Sequence, residues 1–85
     1  MMSAGQLRAA RALLAMDQKT LADLSGVSLP TIQRMEASDG VVRGTVETLT
    51  KVVEALNLAG VDLIGDDRRS DAGGRGVRLR QSARA

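Results

Sequence analysis

The stretch QKTLADLSGVSLPTIQRME, residues 18–36, sets two short runs of helical spacing on either side of a Gly-Val-Ser. Asp17 is placed to cap a helix over residues 18–24, with Leu21, Ala22 and Leu24 as its apolar side. Gly26 follows, the residue that best tolerates the left-handed conformation ending a helix. Ser28 then caps a second helix over residues 28–36, with Pro30 in its first turn, where a missing N–H does no harm. Ile32 and Met35 point inward, and Ser38-Asp39-Gly40 ends it. Helices of about seven residues do not persist alone in water. They hold only if each buries a stripe against other helices. Ala22 is small enough to let two helices approach closely, and Val27 fills the inside of the corner. This is a helix-turn-helix arrangement, which leaves the N-terminal half of its second helix exposed.

Working outward, SAGQLRAARALLA (3–15) reads as a helix opened by a capping box, Ser3 with Gln6 three residues on. Leu7, Ala10 and Leu14 form its stripe. Thr45 caps a further helix over 46–56, with Leu49, Val52, Val53 and Leu56 inward and Asn57 or Gly60 ending it. Beyond it the period changes. GVDLI (60–64) is β-branched-rich, and GVRLR (76–80) alternates apolar and basic residues as a half-exposed strand does. The intervening GDDRRSDAGGRG reads as a mobile loop. The two strands make a β-hairpin, or one is donated to a second subunit. The expected organisation is a helix-turn-helix domain over 1–58, a β extension over 59–80 and a disordered tail over 81–85.

Eighty-five residues bound the chain to one domain with a thin core. With no Phe, Tyr or Trp, that core is built from Leu, Val, Ile, Met and Ala. The absence of Cys and His removes the disulfide framework, the thiolate nucleophile, the usual general base and the commonest metal ligand. No carboxylate pair converges in the pattern, so an enzyme is not expected, and neither is a metal, a cofactor or a small-molecule ligand. Asp66, Asp67 and Asp71 fit no calcium-loop spacing, and Gly73 to Gly76 lack the strand, helix and Lys of a phosphate-cradling loop. There is no apolar run of membrane-spanning length, and Arg8 and Arg11 interrupt any signal-peptide layout. A cytoplasmic protein with no membrane partner is the expectation. Net charge is +2, unevenly spread: five basic against four acidic residues in 1–43, one against three in 44–65, and six against three in 66–85. A basic end on a near-neutral body permits nucleic-acid binding without demanding it.

The exposed half-helix supplies the chemistry. An α-helix fits the DNA major groove, and side chains near its N-terminus reach base edges. Leu29, Pro30, Thr31, Gln33 and Arg34 are the positions so presented. Gln18 and Ser28, at helix starts, suit phosphate contacts, because unpaired N–H groups and the helix dipole face outward there.

QKTLADLSGVSLPTIQRMEAS resembles the helix-turn-helix of the Xre family, the lambda-repressor-like DNA-binding domains. The matching residues are Gln18, Leu21-Ala22, Gly26-Val27-Ser28, Thr31-Ile32 and Glu36, and the resemblance spans about residues 3–58. It implies a mainly α fold, a lambda-repressor-like bundle of four to five helices, here with a C-terminal β-hairpin or swapped strand. It implies phosphate contacts from Gln18, Arg43 and Thr45, and base-edge contacts from Leu29, Pro30, Gln33 and Arg34. It also implies a structural ion pair between Arg11 and Glu36. The chain departs from the common pattern at Leu29 and Pro30, which cannot donate side-chain hydrogen bonds and would instead pack on a thymine methyl. The implied function is that of a small bacterial or phage-type transcriptional regulator, a repressor for example, acting as a homodimer on a two-fold duplex operator. Val61, Leu63, Val77 and Leu79 are the candidate dimer contacts.

Rival readings stand beside these. Arg34 reads guanine or is an exposed solubilising charge. Arg78 and Arg80 grip a DNA backbone or face water on a strand edge. The domain is a DNA reader, an antitoxin repressing its own operon, or a protein-interaction module of the same fold. The last is favoured by the apolar content of the second motif helix at Leu29, Pro30 and Met35.

Overall fold

The computed structural model describes residues 2–65 and 74–80. Four helices and a hairpin follow in chain order: α1 (Ala4–Leu13), α2 (Gln18–Ser25), α3 (Leu29–Ala37), α4 (Val46–Ala59), β1 (Val61–Ile64) and β2 (Gly76–Leu79). Each helix starts where a side chain can take an orphaned backbone N–H. Ser3 accepts from Gln6 N while Gln6 accepts from Ser3 N, completing the capping box. Asp17, Ser28 and Thr45 accept from the N–H three residues on. Thr20's backbone N–H holds the Asp17 carboxyl below its ordinary value. Gly26 ends α2 in the left-handed region, at φ +73°, which turns the chain sharply into α3. α4 runs to Ala59, one turn past the expected 56, and ends at Gly60.

The core is aliphatic and shared by every element. Leu7, Leu21, Ile32, Met35, Val52, Leu56 and Val61 are fully buried, with Val27 inside the corner. α2 packs on α3 and α4, α1 packs on α3 and on both strands, and α4 packs on β1. One apolar assignment fails. Leu24 is 58% exposed. Leu21, Ala22 and Ser25 form the buried side of α2, and Leu24 lies about 110° round the helix from its middle at 100° per residue. Ser25 takes the inward place, its Oγ donating to Ala22 O and accepting from Val27 N.

β1 and β2 pair antiparallel within the chain, Val61 opposite Leu79 and Ile64 opposite Gly76. The N-terminus adds a second, shorter pairing. Ser3 bridges to Val41, Ala4 N donates to Gly40 O and Val42 N to Met2 O, burying Met2 and Val42. Among the described residues no helix is long and apolar enough to cross a membrane. The expected mobile loop falls largely on residues 66–73 and the expected disordered tail on 81–85, both outside the described residues.

Candidate nucleic-acid interface

α3 is held by its far end. Glu36, one residue before the C-terminus of α3, is 5% exposed. Its carboxylate receives Arg11 Nε at 2.5 Å and Arg11 Nη2 at 2.7 Å, a bidentate fork from α1. Gln18 Nε2, from the start of α2, donates to the same carboxylate at 3.2 Å. Arg8 Nη1 donates to the Glu36 backbone carbonyl, and Arg11 Nη1 to Met16 O at 3.0 Å. The hydrogen bond to Glu36 raises the Arg11 pKa further above its ordinary value. Two arginines at the C-terminal end also oppose the negative pole of the α3 dipole. The Arg11–Glu36 pair implied by the resemblance is therefore formed, as part of a network that ties three helices together.

The outward face of α3 is open to solvent. Pro30, Gln33 and Arg34 are exposed, and Thr31 is half-buried. Leu29 is not fully exposed as expected: it packs against the core, because the first turn of α3 also closes the corner. Ser28, expected at phosphate, uses its hydroxyl within the helix. Its Oγ accepts Thr31 N at 3.3 Å and donates to Thr31 Oγ1 at 2.8 Å. Thr45 does the same at α4, accepting Thr48 N at 3.1 Å and donating to Thr48 Oγ1 at 2.9 Å. Gln18 is half-buried, with one amide N–H given to Glu36. Arg43 stands exposed in the α3–α4 connector.

The four dimer candidates divide. Val61 is 0% exposed in the chain's own core, so its side chain has no surface left for a second copy. Leu63 and Val77 are half-buried against that same core, and Leu79 alone is exposed. The reason is that the hairpin lies on α1 and α4 rather than projecting from them. Arg78 and Arg80 both pair with Asp62 across the strands, at 3.2 and 2.8 Å. Those two hydrogen bonds, Arg80's first, hold the Asp62 carboxyl below its ordinary value.

Two side chains matter more than the sequence indicated. Gln6, beyond its capping role, is 5% exposed and donates from Nε2 to Ile64 O at 2.8 Å and Gly76 O at 2.9 Å, locking the hairpin to α1. Glutamate would serve the capping box equally well, so the choice of an amide was the available signal. Arg8 lies one turn from Arg11 and reaches the end of α3 with it.

Compared with known families, residues 7–63 match the model described as Helix-turn-helix, which takes in all four helices except the first turn of α1, together with most of β1. No curated protein matches the chain in sequence.

Proposed function

Because the chain belongs to the Xre, lambda-repressor-like helix-turn-helix family of DNA-binding regulators, we propose that it binds a two-fold duplex operator as a homodimer, with the N-terminal face of α3 in the major groove. The observation that carries this reading is the asymmetry of α3. Glu36, near its C-terminus, is held by Arg11 and Gln18, and Arg8 takes its backbone carbonyl, while Pro30, Gln33 and Arg34 are exposed along the outward face of the same helix. A helix clamped at one end keeps its reading face in a fixed orientation to the body. In this reading Arg34 and Gln33 contact base edges and Pro30 packs on a thymine methyl. Arg43 and the backbone N–H groups opening α2 and α4 meet phosphate. Two copies are invoked because one module of this size buries too little surface for tight, specific binding. Leu79 is the apolar side chain on the hairpin best placed to meet a second copy.

The interaction-module reading keeps only Pro30 of its three supports in full, since Met35 is buried and Leu29 packs against the core.

Selection from a randomised duplex library, followed by gel-shift titration of the enriched sequence, tests the proposal. Arg34→Ala is expected to cost about 1–3 kcal/mol and to relax preference at one base pair, whereas Arg43→Ala weakens all sequences alike and flattens the salt dependence. Binding untouched by both substitutions would refute the docking. Leu79→Asp is expected to lower the solution mass toward one copy; an unchanged dimer would move the interface elsewhere.

A further inference from the structure

We propose that Thr31 is a positioning residue for base readout, its hydroxyl oxygen holding the Arg34 guanidinium over the exposed face of α3 toward a guanine edge; this rests on the DNA-binding reading above. Arg34 Nη2 donates to Thr31 Oγ1 at 3.1 Å, one helical turn back. Ser28 Oγ donates to the same oxygen at 2.8 Å and is itself oriented by accepting the Thr31 backbone N–H. The three side chains thus form a chain anchored in the helix cap: Ser28 to Thr31, Thr31 to Arg34.

A hydroxyl oxygen accepts two hydrogen bonds, and both places on Thr31 are filled. Thr31 is therefore poorly suited to accept a hydrogen bond from a base. Arg34 is well suited to read one. A guanidinium carries five N–H donors, of which Thr31 takes one, and a guanine O6/N7 edge needs two. Among the described residues Arg34 forms no ion pair that would compete for the remaining donors. An untethered arginine loses rotamer freedom when it docks, and a tether to the helix face removes part of that loss before DNA arrives.

The test compares wild type, Thr31→Val, Thr31→Ser, Arg34→Ala and the double variant Thr31→Val with Arg34→Ala on a randomised duplex library, with thermal melts and salt titrations alongside. Valine matches threonine in shape and keeps the backbone N–H, and serine keeps the oxygen. Thr31→Val is expected to reduce discrimination about threefold to tenfold, the effect of one hydrogen bond, at the same base pair where Arg34→Ala abolishes it. Thr31→Ser restores it, the double variant is no worse than Arg34→Ala alone, and the melting midpoint and salt slope stay put. Wild-type discrimination in Thr31→Val overturns the positioning role. So does loss at a different base pair, which would make Thr31 a direct reader, and so does equal loss at every position, which would make it structural. A wild-type chain that enriches no duplex sequence overturns the DNA reading itself, and this one with it.

Discussion

Gln6→Glu changes one atom's chemistry at the place where the hairpin joins α1, and the structure sets the size of the effect. Gln6 Oε1 accepts Ser3 N at 2.9 Å, and a carboxylate oxygen would do the same. The amide Nε2 is different: it donates to Ile64 O at 2.8 Å and to Gly76 O at 2.9 Å. A carboxylate there faces two carbonyl oxygens with nothing to give. Both carbonyls are only partly buried, so each left without its donor costs about 1–2 kcal/mol, at the lower end for an unpaired acceptor, and the pair amounts to roughly 2–4 kcal/mol. For a domain of this length that lowers the melting temperature by about 10–25 °C at neutral pH. Protonation returns one O–H donor, so the folded variant prefers the acid form and its carboxyl pKa lies above the unfolded value of about 4.3. A raised carboxyl pKa means that the penalty is full above the folded value. It shrinks as pH falls through that value and is smallest below about 4. Circular-dichroism melts of wild type and variant across that range give the difference directly, and amide exchange shows whether β1 and β2 open first. A variant melting within about 2 °C of wild type at neutral pH, or a gap that does not narrow on acidification, would refute the lock.

Three other outcomes are expected. Glu36→Gln leaves Arg11, only 20% exposed, without its counter-charge; the loss is about 2–3 kcal/mol in urea denaturation, below the value for a fully buried pair because water reaches the guanidinium, and an unchanged midpoint would contradict it. Gly65→Ala puts a Cβ 2.7 Å from Gly74 O at a backbone φ of +106°, so about 1–3 kcal/mol of strain loosens the hairpin neck, and amide protection of Gly76 to Leu79 equal to wild type would exclude it. Asp62, its carboxyl held below the ordinary value by Arg80 and Arg78, favours the folded state fully above the usual carboxylate range. That contribution disappears as pH falls through the lower folded value. Hairpin amide shifts followed by NMR should move in that window, and Asp62→Asn should abolish the movement.

Much of the fold is visible in local chemistry. Ser3 with Gln6, Asp17, Ser28 and Thr45 announce four helix starts and Gly26 announces one end, because a cap needs only residues three or four apart in sequence, whereas the choice between Asn57 and Gly60 as the end of α4 falls to Gly60 in the structure. The exposure of Pro30, Gln33 and Arg34 follows from the same periodicity. Leu24 shows the limit of reading by period: two neighbouring positions on a short helix compete for the buried side, and only packing against α3 and α4 decides that Ser25 goes in. Glu36 was legible as a partner of Arg11 through the family motif, but not as a junction for Arg8 and Gln18 as well.

By itself the sequence determined where each helix begins, that the core is aliphatic, and that a short helix presents a polar, arginine-bearing face. Only the tertiary structure decided that Val61 belongs to the core rather than to a partner, that Gln6 fastens the hairpin, and that α3 is clamped from α1 and α2. The physical reason is range. Caps and stripes act within one or two turns, so neighbouring residues specify them. The Gln6 lock joins residues 58 and 70 positions apart, and such a contact exists only once the intervening chain has packed.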